Sequence, residues 1–161
     1  ELAPARVPGL YTTFRSDIGT IQRTYVKQSI RQALQEVVGG EPIAEITRYI
    51  RAKIRMSRDN PKASRLFANE ILHGATAVGT YLRGPLKELV DEKAAIIRGW
   101  TAEGRLNPID PHHLIFAIWA TTQHYADFEP QVQAVVGGGL EVMAKAEETL
   151  TTLFVEGLRP R

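Results

Sequence analysis

The sequence predicts an all-α protein. Apolar residues recur at helical spacing along most of the 161 residues, and no convincing alternation of apolar and polar residues indicates a β-strand. Glycines and prolines interrupt these stretches at intervals that suit the ends of helices. The sequence shows no internal repeat and no low-complexity tract. We therefore expect a single helical bundle, since this length is sufficient to bury a real core.

The first predicted helices follow a lead-in over residues 1–17 that contains prolines and a glycine. An apolar stripe runs from Ile18 to Val37 and ends at Gly39 and Gly40. Pro42 begins a second helix and Asp59-Asn60-Pro61 ends it, capping a third helix with Phe67 on its apolar face. In the second helix we expect isoleucines to face inward and arginines outward: Ile43, Ile46, Ile50 and Ile54, against Arg48, Arg51, Arg55 and Arg58.

Three further helices are predicted in the second half, which gives six principal helices. The fourth begins at Gly84-Pro85 and closes at Gly104, after a short broken helix near Thr76–Arg83. In the fifth, Asp110 is the cap, Pro111 fits the first position, and Pro130 blocks continuation. The glycines at 137–139 then form a flexible joint before the last helix.

The fifth helix has no formally charged side chain between Asp110 and Asp127, and its apolar residues fall on every face. Such a helix is expected to be buried all round. Polar groups within it need hydrogen-bond partners, which either the protein or a ligand supplies: Trp119, Gln123, His124 and Tyr125.

Composition excludes several classes of protein. Cysteine is absent, which rules out disulfides, thiolate nucleophiles and cysteine-ligated zinc. No apolar run approaches the roughly 20 residues of a membrane span, and the first residues do not resemble a signal peptide, so we expect a cytoplasmic location without membrane contact. The excess of basic residues in 1–60 is only a weak sign of nucleic-acid binding, because solvated basic helix faces are commoner.

Motifs typical of enzymes are missing from the sequence. It contains no glycine-rich phosphate loop, no dinucleotide fingerprint and no nucleophile elbow. His113 and His124 share a helix face but lie roughly 16 Å apart at about 1.5 Å per residue, too far to share a metal ion. We expect no catalytic residues, no metal and no cofactor.

Trp119 and Gln123 are the strongest candidates for a binding site. They are four residues apart and so lie on one helix face, where an aromatic surface beside an amide suits a flat molecule with an imide or amide edge. We expect a mostly apolar cavity around Tyr49, Phe67, Ile97 and Trp119. Possible additional partners are Glu70, Asn69 and His73. Alternatively, Trp119 is ordinary core, Gln123 binds a backbone carbonyl, and Glu70 is a surface carboxylate.

The last helix predicts association of two copies. Its apolar residues have small neighbours that allow close approach, and the fifth helix is apolar on more faces than one neighbour can cover. Two antiparallel helices from each subunit, over about 111–128 and 140–157, would form a four-helix interface. The interface residues expected in the last helix are Leu140, Met143, Leu150, Leu153 and Phe154.

Several segments carry a resemblance to a known family. They are SRDNPKASRLFANEIL (57–72), LKELVDEKAAIIRGW (86–100), NPIDPHHLIFAIWATTQHYADF (107–128) and the terminal EGLRPR. From about residue 44 to 161 the chain resembles the regulatory domain of TetR-family transcription repressors, in particular the RutR-like branch of pyrimidine-utilisation regulators. The resemblance implies an all-α, effector-binding homodimer in which the last two helices form the interface. It also implies a pyrimidine pocket lined by Trp119 and Gln123.

Two departures from the family pattern affect these expectations. The helix-turn-helix domain is mostly missing: residues 10–17 resemble its closing segment, and residues 18–161 correspond to the effector-binding and dimerisation domain. This chain alone is therefore expected not to bind operator DNA. The branch also places an aromatic residue near positions 28–32, where this sequence has none. Uracil or thymine remains a candidate effector alongside other small molecules, and a dimerisation module without a ligand is the competing interpretation.

Overall fold

The computed structural model describes residues 30–160, and every regular element in this range is helical. This confirms the all-α prediction. In chain order the elements are α1 (Arg31–Leu34), α2 (Pro42–Asp59), α3 (Pro61–Leu72), α4 (Gly79–Tyr81), a π-helical segment (Leu82–Leu86), α5 (Lys87–Ala102), α6 (Pro111–Asp127), α7 (Glu129–Val136) and α8 (Leu140–Leu158). The predictions for residues 1–29, including most of the stripe that begins at Ile18, lie outside the described residues.

Helix α2 lies at the centre of the bundle, where it packs against both α6 and α8. Ile46, Ile50 and Ile54 are buried and Ile43 is half-buried, as the spacing predicts. The four arginines expected on the outward face are all exposed. Helices α3 and α5 also pack against α6, and α1 lies against α2 and α5. The core is thus built around the α2–α6 contact.

Helix α6 begins as the sequence predicts. The Asp110 side chain accepts a hydrogen bond from the backbone N–H of His113 at 3.0 Å, which satisfies one of the free donors of the first turn. This bond and the neighbouring histidines hold the pKa of the Asp110 carboxyl below its usual value. Pro111 occupies the start of the helix, where its missing N–H costs nothing.

Two helix boundaries differ from the prediction because proline lies inside or next to helical backbone. Pro85 does not begin a helix: the path from Gly79 to Ala102 is continuous, and the π-helical segment accommodates the proline. Pro130 does not follow the end of α6 directly. Helix α6 ends at Asp127, and Pro130 instead lies in the first turn of α7, an element that the sequence analysis missed.

The expectation that α6 is buried on every face is wrong for the single chain. One side is buried in the bundle, through residues that include Leu114, Ile115 and Ile118. The opposite side carries a stripe of exposed residues without formal charge, formed by His113, Phe116, Ala117, Ala120 and His124. More apolar surface is present on α6 than the neighbouring helices of one chain cover.

Candidate functional site

The polar residues of α6 that need partners fall into two groups. The indole N–H of Trp119 donates to the hydroxyl of Tyr49 at 2.5 Å, and the Thr122 hydroxyl donates to the carbonyl of Ile118 at 2.6 Å. These groups are satisfied by the protein. The Gln123 side chain is half-buried and makes no hydrogen bond with another described residue. Its amide therefore keeps a donor and an acceptor for a ligand.

Trp119 and Tyr49 form the aromatic part of the candidate site. Tyr49 is buried in the centre of α2, and this burial raises the pKa of its hydroxyl far above the ordinary value, against the opposing effect of the bond from Trp119. The hydroxyl is therefore protonated at all physiological pH values. Phe116 also contacts the ring of Trp119, with ring centroids 5.7 Å apart and planes tilted by 55°. Trp119 is thus held by its ring contact with Phe116 and by its hydrogen bond to Tyr49.

The remaining predicted site residues differ in burial and in hydrogen bonding. Phe67 and Ile97 are buried members of the same apolar core. Asn69 and His73 are exposed at the end of α3, where the His73 ring lies 2.7 Å from the Asn69 carbonyl. The Glu70 carboxylate accepts hydrogen bonds from the Ala77 N–H at 2.5 Å and the Thr76 hydroxyl at 3.3 Å. Glu70 thereby supports the loop that follows α3.

Apart from Tyr49, which it named as a candidate for the cavity, the sequence analysis missed a row of buried polar residues along α2. Glu45, Tyr49, Lys53 and Ser57 are spaced by four and are all buried. Ser57 donates to the Thr122 carbonyl of α6 at 2.8 Å, and Glu45 accepts from three backbone N–H groups of the preceding loop. The four-residue spacing was the available signal, because residues at i and i+4 share one helix face.

Two further features are absent from the described residues. Within residues 30–160, no group of three His, Cys, Asp or Glu side chains is placed to hold a metal ion. The same residues contain no helix that is both long and apolar enough to cross a membrane. The arrangement around Trp119 and Gln123 provides an aromatic surface and a free amide, which are the components of a binding site.

Comparison with known proteins places the chain in a family. Residues 24–161 match the family described as YcdC-like protein, C-terminal region, a TetR-type C-terminal domain. The chain belongs to this family. Membership confirms both the resemblance and the helical TetR-type fold inferred from the sequence.

Curated relatives of this TetR-type domain carry the name HTH-type transcriptional regulator RutR. Proteins of this name from Escherichia coli O157:H7, Escherichia coli strain K12 and Shigella flexneri are each 53% identical over 123 residues. The match covers 74% of this chain and 58% of each relative, so the chain spans less than two thirds of their length. The relatives are named as transcription regulators, which confirms the expectation that the domain is not an enzyme.

The predicted interface residues of this TetR-type domain divide by burial. Leu150 is 7% exposed and belongs to the core of the single chain, and Met143 and Phe154 are half-buried against that core. Leu140 and Leu153 are exposed. Within one chain, therefore, Leu153 tests association more directly than Leu150, whose replacement would first disturb the core.

Two clefts lie on either side of Tyr125, away from Trp119 and Gln123. One of about 230 Å³ is lined by the ends of α2 and α6, by α7 and by the start of α8. The other, of about 450 Å³, lies against α8 between Tyr125 and Thr149. Neither cleft is lined by the residues that the sequence predicts for the effector, so we keep these clefts apart from the Trp119–Gln123 site.

Proposed function

We propose that this chain is the effector-sensing and dimerising domain of a TetR-type transcriptional repressor. In the whole protein a small molecule bound to this domain would control the binding of operator DNA. Family membership and the names of the relatives support the proposal, which carries their function over to this chain. A cytoplasmic location goes with that function.

The unpartnered amide of Gln123 carries the ligand-binding part of the proposal. Its donor and acceptor lie one helical turn beyond Trp119, and a planar heterocycle with an imide or amide edge fits both groups. A pyrimidine such as uracil or thymine has this shape and edge. We place the effector against Trp119 and Gln123, with Tyr49, Phe67 and Ile97 as the apolar surroundings, and with Glu70, Asn69 and His73 as further candidates.

Control of DNA binding would follow from differential affinity. An effector that binds one arrangement of the dimer better than another shifts the population toward that arrangement. The operator would be read by a helix-turn-helix domain joined through residues 1–17, with residues 18–161 as the regulatory part. In this scheme the spacing between two such heads is the quantity that the effector changes.

A helical dimerisation module without a ligand is the second candidate. The hydrogen bond between Trp119 and Tyr49 favours it, because the indole N–H already has an internal partner and so needs no ligand. The two candidates differ in one property: only the sensing domain requires Gln123 for binding a small molecule.

A thermal-shift screen with uracil, thymine and other planar heterocycles tests the proposal. A ligand at a hundred times its dissociation constant should stabilise the fold by about 2.7 kcal/mol, which for this size corresponds to roughly a 5–10 °C rise in melting temperature. Gln123→Ala should weaken binding by about 1–3 kcal/mol.

Gln131→Ala is the matched control, because Gln131 is exposed on α7. It should bind every hit as the wild type does. If the hits bind Gln123→Ala as tightly as wild type, the amide is structural and the site assignment fails. If no planar heterocycle binds, the module without a ligand is the better description.

A further inference from the structure

The exposed stripe of α6 has the same order of residues from either end. His113 and His124 lie at its two ends and Ala117 and Ala120 at its centre, so the spacings along the helix are four, three and four residues. A second copy laid antiparallel on this stripe therefore brings alanine against alanine and histidine against histidine. Alanine at the crossing point allows two helices to approach closely, since the distance between their axes depends on the side chains there. The stripe is thus self-complementary, as a two-fold interface requires.

The His113 end of the stripe lies beside a carboxylate. Asp110, one turn earlier, accepts the hydrogen bond from the backbone N–H of His113. This bond, and in addition the attraction of the His113 ring, hold the pKa of the Asp110 carboxyl below its usual value. The His113 ring also contacts Phe116 edge-on, with ring centroids 6.4 Å apart. Asp110 is therefore available to balance one proton at this end.

The His124 end of the stripe lies among aromatic rings. The His124 ring stacks on Phe128, with centroids 5.1 Å apart and planes inclined by 21°, and contacts the ring of Tyr125 edge-on at 6.1 Å. These rings offer the imidazole an uncharged surrounding, which favours its neutral form.

The charged groups that flank His124 on α6, α7 and α8 already have other partners. They are Asp127 with the Ser64 hydroxyl, Glu129 with Arg65, and Glu141 with Lys145. Helices α2, α3 and α5 pack on the buried side of α6, opposite to the stripe. A proton on His124 therefore gains no free counter-charge from the residues that the structure describes.

We propose that α6 crosses α6 of a second copy at its two central alanines, that each His113 there lies beside the partner's His124, and that protonation of this histidine pair separates the copies. This inference rests on the dimer of the proposed function and adds to it the register of the interface and its regulation by pH. In its uncharged form the pair is self-sufficient, because one imidazole N–H donates to the ring nitrogen of the other.

Acid changes the balance of charge in this interface. Each end of the crossing contains two imidazoles and one Asp110 carboxylate, so a proton on both rings leaves one positive charge without a partner. An unpaired charge inside an apolar interface is strongly unfavourable, so the dimer binds fewer protons than two free copies do. Dissociation must therefore increase as the pH falls through the range in which histidine titrates, from about pH 8 to pH 5.

Analytical ultracentrifugation of the 161-residue chain at pH 8 and pH 5.5 tests the effect of acid. We expect the dissociation constant of the wild-type dimer to be about 10- to 100-fold higher at pH 5.5, with the helical content by circular dichroism unchanged. His113→Gln/His124→Gln should associate at pH 8 and show no such increase, because its amides do not titrate. His124→Lys carries a permanent charge and should be dissociated already at pH 8.

His112→Gln is the matched control. His112 precedes the stripe on the same helix, but its ring lies 3.0 Å from the Asp91 carboxylate of α5 and so contacts its own chain. This variant should keep the pH dependence of wild type. If the glutamine variant of the pair does not associate at pH 8, His113→Asn/His124→Asn makes the same comparison with shorter side chains.

Cross-linking tests the register independently of pH. The sequence has no cysteine, so His113→Cys/His124→Cys carries the only two thiols. They lie roughly 16 Å apart within one helix, too far for a short bismaleimide. Between antiparallel helices in contact, whose axes are about 8–10 Å apart, a reagent that spans about 8 Å should join them and give a covalent dimer. Each single-cysteine variant should give none.

The outcomes separate this inference from the proposed function. If wild type is a monomer at pH 8, both this inference and the proposed dimer fail. If wild type dissociates equally at both pH values, or if the glutamine variant keeps the pH dependence, the role of the histidine pair is overturned while the dimer stands. A dimer in which the double-cysteine variant gives no cross-link, or in which a single-cysteine variant does, overturns the register.

Discussion

Glu45 illustrates how a single buried carboxylate can fix the geometry of a loop. Its two oxygens accept hydrogen bonds from the backbone N–H groups of Val38, Gly39 and Gly40, at 2.8, 3.1 and 2.7 Å. A Cβ atom on Gly40 would lie 2.5 Å from one of these oxygens, so the close approach requires glycine. The turn between α1 and α2 is therefore held by a contact that spans only a few residues.

Replacing Glu45 by alanine should destabilise the fold strongly. Three backbone donors would lose their partner, and we expect the free energy of unfolding to fall by about 2–4 kcal/mol. Urea denaturation measures the change. Glu88→Ala is the control, because Glu88 is exposed on α5 and should shift stability by no more than about 0.5 kcal/mol. Equal losses in both variants would contradict the role of Glu45.

The pH dependence of stability tests whether the Lys53 ammonium group is buried without a counter-charge. Its pKa is about 8 in the native state and 10.5 in the absence of burial. Below pH 8 both states carry the charge and the native state bears the full desolvation penalty. Between pH 8 and 10.5 the unfolded chain binds more protons, so the free energy of unfolding should rise with pH.

We expect this rise to be about 2–3 kcal/mol relative to Lys53→Met, measured by urea denaturation at pH 7 to 10. The raised pKa of Tyr49 acts in the opposite direction above pH 10, but it is common to both proteins and cancels in the difference. Asp127 also is present in both. A difference between wild type and Lys53→Met that does not change with pH would show that Lys53 is paired or solvated.

Sequence predicts single residues well when the signal is local. That Trp119 and Gln123 share one helix face follows from their spacing of four. That Asp110 caps α6 follows from its position before Pro111. The bond between Trp119 and Tyr49 joins residues 70 positions apart, and no local pattern indicates it. For the same reason, the sequence could not show that Lys53 pairs with no side chain among residues 30–160, because that depends on where Asp127 lies.

At the scale of elements, the two predicted helix boundaries that differ from the structure both involve proline. Its effect on a helix depends on position: it is tolerated in the first turn, as in α7, and within the π-helical segment. Sequence alone fixes the presence of proline but not which of these settings it occupies. The break in helical structure at the glycines 137–139, before the last helix, agrees with the prediction, because consecutive glycines favour backbone conformations that end a helix.

The joint between α7 and α8 should depend on glycine at particular positions. Gly139 has φ +100° and ψ −173°, a region essentially reserved for glycine, whereas Gly138 is not in a positive-φ conformation. We expect Gly139→Ala to lower the free energy of unfolding by about 1–3 kcal/mol. Gly138→Ala is the control, since its new Cβ would meet only the flexible Gln133 side chain at 3.3 Å. Similar melting temperatures for the two variants would contradict this account.

At the scale of the molecule, the exposed side of α6 is the surface on which we expect a second copy of the chain to pack. The exposed stripe from His113 to His124 is uncharged, and Leu153 on α8 is 63% exposed. Contiguous exposed apolar surface is typical of interfaces in soluble proteins. A two-fold arrangement of α6 and α8 would form a four-helix interface and remove both surfaces from water. This dimer belongs to the proposed function.

Charge introduced into that surface should separate the dimer. Phe116→Glu and Leu153→Glu each place a carboxylate where the partner helix would pack, and burial of an unpaired charge is strongly unfavourable. Wild type should sediment as a dimer at micromolar concentration and both variants as folded monomers, because neither residue is buried within one chain. Leu72→Glu is the control: Leu72 is more exposed than Phe116 or Leu153 but lies at the end of α3, outside the proposed interface, so this variant should remain dimeric. If wild type sediments as a monomer, the exposed stripe has another partner and the proposed dimer fails.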